Sequence, residues 1–149
     1  MNDFVAIDFE TTAFKDGRND PWQLGAVIVA DGRIVEMREW FFGTALTPDF
    51  EPIMDQWDSF YPVLAERTLV AHNIACEKTI LTRIAPLTRW GPWVDTMRLA
   101  KKRYPRLPGY TLGELCEAFG CVPAMEGRTW HDGLYDAAAC AALALRLGA

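Results

Sequence analysis

Several ordinary signatures are missing from this chain, and each absence removes a class of function. No uninterrupted apolar run approaches the roughly 20 residues needed to cross a bilayer, so a membrane partner is not expected. The opening residues MNDFVAIDFE enter an apolar strand without the basic segment and apolar core of a secretory signal, which gives the expectation of a cytoplasmic protein. Four cysteines, Cys76, Cys116, Cys121 and Cys140, show neither CxxC pairing nor His/Cys zinc spacing. Three of them fall on or beside apolar periodic positions of expected helices, so reduced core thiols are expected. Internal repeats, low-complexity tracts and linker-like stretches are lacking as well, and residues 1–149 are taken as one domain. A basic excess is also lacking. The net charge of -5 and pI near 5.0 argue against a protein that coats long nucleic acid through a broad cationic face, because that binding scales with the phosphates neutralised. An enzyme that grips one short end is not excluded, and a site gathering carboxylates around divalent cations would itself make a chain acidic.

What is present is half hydrophobic and long enough for a proper core. Phe4 to Phe9 is a continuous apolar run ending in acids, the pattern of a strand buried on both faces and therefore central. Trp22 to Ala30, the turn Asp31-Gly32-Arg33 and Ile34 to Phe42 form an expected hairpin, since Asp-Gly between two β-rich runs is a strong turn signal. A polar, proline-punctuated stretch from Thr47 to Asp58 precedes an expected helix over Phe60 to Glu66 and a short buried strand, Leu69-Val70-Ala71. Helical spacing follows over Cys76 to Ile84, then a brief strand, Trp93-Val94-Asp95, whose acid is placed to cap the next helix. Thr111 opens another helix that Gly120 closes, and an alanine-rich helix runs from about Asp132 to Leu147. Three strands followed by alternating helices and strands give an α/β class with a mixed sheet.

Asp8 and Glu10 lie two residues apart on the expected central strand, so period-two alternation points both to one face. Two such acids are compatible with a solvated strand end and equally with a cation site, since a buried carboxylate asks for a partner. Three ordered segments decide how they are read. Asp8-Phe9-Glu10-Thr11-Thr12, then Val70-Ala71-His72-Asn73-Ile74-Ala75-Cys76-Glu77, then His131-Asp132-Gly133-Leu134-Tyr135-Asp136 resemble the motifs of the DEDDh exonucleases. This is the family of the proofreading epsilon subunit of the bacterial replicative polymerase, within the ribonuclease H-like fold. Gln23-Leu24-Gly25-Ala26-Val27, Val94-Asp95-Thr96 and Tyr110-Thr111-Leu112-Gly113-Glu114-Leu115 are similar to further family elements, and the match runs from about Phe4 to Leu145.

The resemblance implies a five-stranded mixed β-sheet flanked by α-helices and a 3′-to-5′ exonuclease that releases nucleoside monophosphates, with DNA favoured over RNA. It implies two divalent cations, Mg²⁺ or Mn²⁺, since oxygen-only ligation favours these over zinc. Asp8 would bridge both, Glu10 and Asp136 would complete one site, and Glu77 would support the other. His131 would act as general base, a task suited to a side chain that ordinarily titrates near neutrality, while Asp136 is fixed by the helix and His131 stands on a mobile lead-in segment. Thr11, Thr12 and Asn73 would line the pocket for the terminal nucleotide, although turn-forming threonines fit the first two equally well. The partner implied is a nucleic acid 3′ end, single-stranded DNA first. Two alternatives stand beside this reading: an exoribonuclease on short RNA, and a weakened or inactive end-binding module. The second is kept by a departure, because the family usually has Asp where Glu77 stands. It also usually has an aromatic at Cys76, Gly at Ala13 and Ala at Gly133. His72 is expected to shape the second motif, and Trp130, beside His131, offers a base-stacking platform. The cations of Lys101-Lys102-Arg103-Tyr104-Pro105-Arg106 fit a helix C-terminus first and a phosphate track, with Tyr104 stacking, second.

Overall fold

The computed structural model of the chain describes residues 2–13 and 18–148. Strand β1 (Phe4–Thr11) sits at the centre of a five-stranded sheet of order β3-β2-β1-β4-β5. It pairs antiparallel with β2 (Pro21–Ala30), which pairs antiparallel with β3 (Arg33–Phe41). On the other side it runs parallel to β4 (Leu69–Ala71), and β4 runs parallel to β5 (Trp93–Asp95). The mixed sheet expected from the sequence is present, with β4 and β5 at their expected residues.

Alternation along β1 divides the core in two. Val5, Ile7 and Phe9 join Leu24, Ala26 and Ile28 of β2 and pack under α1 (Trp57–Leu64) and α2 (Ala75–Ile84) through Phe60, Leu64, Ile80 and Leu81. Phe4 and Ala6 join Val27 and Val29 on the opposite face, under Leu134, Ala137, Ala138 and Ala141 of α5 (Gly133–Leu147). Asp8 and Glu10 continue the even-numbered row of β1, so the pleat that buries Phe4 and Ala6 against α5 carries the two acids to the N-terminal end of the same helix. Helices α3 (Thr96–Arg103) and α4 (Leu112–Phe119) complete that side through Ala100, Leu115 and Cys116, packed on Ala139, Leu143 and Leu147.

Local chemistry explains the boundaries. Asp95 caps α3, Thr111 caps α4 and Asp132 caps α5, each accepting from backbone N–H groups of the first turn, an interaction worth about 1 kcal/mol apiece. Gly120 and Gly148 end α4 and α5 in the left-handed conformation. Helix α1 starts at Trp57, earlier than expected, after a 3₁₀ turn over Ile53–Gln56. The aromatics account for this: Trp57 stacks on Tyr61 one turn along and meets Phe60 and Trp90 edge-on, so an apparently polar segment is drawn into helix by the rings. Among the described residues no helix is long and apolar enough to cross a membrane. Cys116 and Cys140 are buried free thiols, as expected, and Cys121 is partly buried, but Cys76 is exposed on the outer side of α2.

Helix α5 comes unusually close to the sheet where Gly25 of β2 lies opposite Asp8 of β1. A Cβ on Gly25 would stand 2.3 Å from the Gly133 carbonyl oxygen and 2.6 Å from the Leu134 Cα, backbone atoms that cannot step aside. We expect Gly25→Ala to lower stability by an amount at or above the top of the about 1–3 kcal/mol range typical of overpacking. Urea unfolding would show this as an earlier midpoint with an unchanged slope, and an unchanged midpoint would contradict the close approach.

Candidate active site

Asp8, Glu10 and Asp136 converge. One carboxylate oxygen from each lies within 4.8 Å of the others, and all three residues are half-buried. The sheet supplies the first two by alternation, and α5 supplies the third one turn beyond its cap, at the point where Gly25 lets the helix approach. Three carboxylates gathered this closely repel one another, and burial adds to the cost. Burial, then the neighbouring Glu10, Glu77 and Asp136, push the Asp8 carboxyl well above its ordinary range. Asp136 is pushed up to about 7 by burial and by Glu10, against the opposing pull of the His131 N–H.

Glu77 stands beside this trio rather than within its 4.8 Å circle. It is 4% exposed although it is an acid on a helix, and its position has a backbone cause. β1 makes its last pairing with β4 at Ala6, and beyond that the Phe9 N–H donates to Glu77 Oε1 at 3.3 Å instead. The other oxygen, Oε2, is buried with no hydrogen-bond partner, as is Asp8 Oδ2. Burial pushes Glu77 up to about 7, partly offset by the hydrogen bonds from its own backbone and from Phe9. Two orphaned buried carboxylate oxygens beside a carboxylate trio are the donor set a hard divalent cation satisfies, so the residues fit the cations expected here.

His131 is exposed at the last residue but one before α5 and holds a left-handed backbone, φ 71°, which costs a non-glycine residue about 1–2 kcal/mol. Its N–H donates to both Asp136 oxygens at 3.3 Å, which ties the histidine to the helical acid through the main chain. The lead-in segment, expected to be mobile, is joined to α5 through this main-chain contact. Trp130 is not a free stacking surface either: its ring stands edge-on against Tyr135 at 5.0 Å and lies over Gly113 of α4, so it packs the turn in place.

The second motif is held by two residues that do not join the trio. Asp95 accepts from Asn73 N and Ile74 N as well as from Met97 N and Arg98 N, fixing the β4–α2 turn and the start of α3 at once. Asn73 takes a left-handed φ of 63°, which asparagine tolerates well. The His72 ring bridges Thr96 Oγ1 at 2.8 Å and the Tyr110 carbonyl at 2.7 Å, and burial lowers its pKa, so it braces the motif as a neutral ring. Thr11 Oγ1 accepts from Asn19 Nδ2 and Thr12 Oγ1 from Asp20 N, which ties the end of β1 to the start of the segment leading into β2. The side chains of residues 101–106 are exposed, with Lys101 over the Tyr110 ring and Tyr104 edge-on to Phe119.

Reading single motifs missed a polar network behind the site. Gln23 is buried and accepts from Gly133 N at 2.8 Å, while Arg128 joins Glu39 of β3 to the α5 cap Asp132. Gln23 lay within a recognised segment, but Glu39 and Arg128 are 89 residues apart and carry no local signature.

The raised carboxyls have a stability consequence. In the unfolded chain these acids ionise near pH 4, whereas folded Glu77 and Asp136 keep their protons up to about 7. The folded state thus binds more protons in between, so their contribution is fully present below about pH 4 and is lost as pH rises through about 7. We expect the metal-free protein to melt at a lower temperature at pH 8 than at pH 5, at about 2–4 °C for each kcal/mol lost. Glu77→Gln, which keeps an oxygen for the Phe9 N–H, should narrow the gap. Thermal denaturation in EDTA at the two pH values measures both, and a higher melting point at pH 8 would contradict the burial assigned to these acids.

No family model matches the chain. It is 28% identical over 166 residues to the PolC-type DNA polymerase III of Halalkalibacterium halodurans, a match covering 98% of this chain and 11% of that one, so the chain spans about a tenth of this relative. Its fold matches that of exonuclease X in complex with 5′ overhanging duplex DNA, with a TM-score of 0.72 and 23% identity over 97% of this chain and 90% of that one. It also matches a 3′-exonuclease recognising the 3′ end of a histone mRNA stem-loop, with a TM-score of 0.73 and 14% identity over 97% and 63%. With the carboxylate trio at the end of a central strand and the three motifs in order around it, the chain has the fold of these exonucleases and is similar to the DEDD 3′–5′ exonucleases of ribonuclease H-like fold.

Proposed function

We propose that this chain hydrolyses phosphodiester bonds from nucleic acid 3′ ends and releases nucleoside monophosphates, with DNA as the favoured substrate and a single-stranded end as the form it grips. The observation that carries this reading is the convergence of Asp8, Glu10 and Asp136, with buried, partnerless oxygens on Asp8 and Glu77. Asp8, Glu10 and Asp136 would hold the divalent cations, Mg²⁺ or Mn²⁺, with Glu77 as the fourth acid. Two such cations supply charge stabilisation to the attacking and leaving oxygens of an in-line displacement.

The chain's own residues do the rest. His131, exposed next to the trio and tied to Asp136 through its backbone N–H, takes the proton of the attacking water as general base. Thr11 and Thr12, at the end of β1 beside the acids, would contact the terminal nucleotide, and Asn73 offers an exposed amide from the second motif. A short RNA end is the second reading, supported by the likeness to the exonuclease on histone mRNA.

Digestion of 5′-labelled DNA and RNA oligonucleotides tests the proposal. We expect laddering from the 3′ end with Mg²⁺ or Mn²⁺ and none with EDTA, and faster loss of DNA than of RNA. Undiminished digestion in excess EDTA would sink the cation-dependent mechanism, and 3′-end binding without cleavage in either metal would leave an end-binding module. His131→Ala should cut turnover by roughly 10²- to 10⁴-fold while Mn²⁺ binding by calorimetry persists, and lost binding would make the histidine a ligand instead. Glu77→Gln should reduce cleavage sharply in both metals, and wild-type rates in that variant would remove Glu77 from the site.

A further inference from the structure

Behind the trio, one cation holds the turn that carries His131. Arg128 forks onto Glu39 with Nη2–Oε1 at 2.6 Å and Nη1–Oε2 at 2.9 Å, and the same Nη1 reaches Asp132 at 3.0 and 3.3 Å. Glu39 lies opposite Gly25 on β2, and Gly25 lies opposite Asp8 on β1, so the anchor and the first acid of the trio stand in one row across the sheet. Asp132 is the residue after His131 and caps α5 through Leu134 N and Tyr135 N. Gln23 closes the ring, donating to Glu39 at 3.2 Å and accepting from Gly133 N. The three charged side chains are about three-quarters buried, with relative exposures of 24–30%, and a bidentate Arg–carboxylate pair in such a setting is directional as well as attractive.

We propose that Arg128 is a positioning residue: by clamping Asp132 to the Glu39–Gly25–Asp8 row it holds His131 in its left-handed turn against Asp136. Two acids share one guanidinium here. Without it, Glu39 and Asp132 would face each other unneutralised in a partly buried pocket, and the strained His131 backbone would lose the restraint that opposes its relaxation. The consequence falls on the geometry of the base rather than on substrate contact, since Arg128 touches none of the trio. The inference rests on the reading of His131 as the base, and its test separates the two.

Hydrogen exchange and kinetics should be compared in wild type, Arg128→Met, Arg128→Lys, His131→Ala and the Arg128→Met/His131→Ala double variant. With Mn²⁺ bound, we expect Arg128→Met to speed exchange in residues 126–133 while residues 138–147 stay protected as in wild type. Turnover should fall roughly ten- to a hundred-fold, the scale of a displaced catalytic group, with KM within about two-fold. Arg128→Lys should recover part of the loss, because an ammonium restores the charge but not the fork. In the His131→Ala background Arg128→Met should cause no further loss of turnover, since residues acting as one unit are non-additive. Equal losses in both backgrounds, or unchanged exchange at 126–133, would overturn the proposal. Should His131→Ala itself leave turnover intact, the assignment of the base falls, while the exchange data still decide whether Arg128 holds the turn. Glu39→Gln cuts the fork from the other side and serves the same comparison if Arg128→Met does not fold.

Discussion

Everything in this structure depends on the close contact between the start of α5 and the two strands beneath it. A helix normally packs on a sheet at side-chain distance, yet here the Gly133 carbonyl comes so near β2 that no Cβ fits at Gly25. That contact places Asp136 beside Asp8 and Glu10, and it confines three like charges in a space they would not choose. The alanines of α5 make the approach possible along its length, since Ala137, Ala138, Ala141 and Ala144 present methyl groups where leucines would hold the helix away. The apolar packing of α5 therefore works against the carboxylates' repulsion: it buries them, raises their pKa values, and holds them ready for a cation that would relieve the strain.

Much of this was legible in the sequence because its causes are local. Period-two alternation in β1 predicted that Asp8 and Glu10 share a face, and the cap residues Asp95, Thr111 and Asp132 marked helix starts through side-chain chemistry that acts over two or three residues. The short strands Leu69-Val70-Ala71 and Trp93-Val94-Asp95 were visible as buried runs between helical patterns. What stayed hidden had causes spread across the chain. Glu77 was named through its motif, but its burial was not legible, because nothing nearby in sequence says that β1 outruns β4 and leaves the Phe9 N–H to be met from α2. The early start of α1 required Trp90, far along the chain, to make Trp57 a packing residue. Trp130 looked like a surface ring because the groups it meets, Tyr135 and Gly113, acquire that role only once α4 and α5 are docked.

The site also shows why two kinds of acid must be told apart. Asp95 and Asp132 carry the same carboxyl group as Asp8, yet each is met by two or more backbone N–H donors and holds turns. Asp8 and Glu77 each retain a buried oxygen with no donor at all. A burial cost left unpaired in this way is tolerated in folded proteins where the surroundings enforce it, and here the surroundings are the sheet row and the helix contact. Charge alone does not distinguish a ligand from a cap, whereas an accounting of donors does.

The departures from the family pattern gain a physical meaning at the same contact. Gly133 stands where the family usually has alanine, and a Cβ there would lie 3.1 Å from Gln23 Cδ and 3.3 Å from the Asp8 carbonyl oxygen. Gln23 is buried and uses its Oε1 on the Gly133 N–H. The missing methyl group is therefore filled by an amide that reaches from β2 into the polar network of Glu39, Arg128 and Asp132. Glu77 is the corresponding change on the other side of β1: a longer acid in place of aspartate, one of whose oxygens meets the Phe9 N–H beyond the β4 pairing while the second stays near Asp8. At both positions a side chain accepts a backbone N–H of a different element, Glu77 of α2 from Phe9 of β1 and Gln23 of β2 from Gly133 of α5. Glu77 and Asp136 are thus oriented by main-chain hydrogen bonds, from Phe9 and His131, which suits a centre whose geometry must be kept when no cation is bound to organise it.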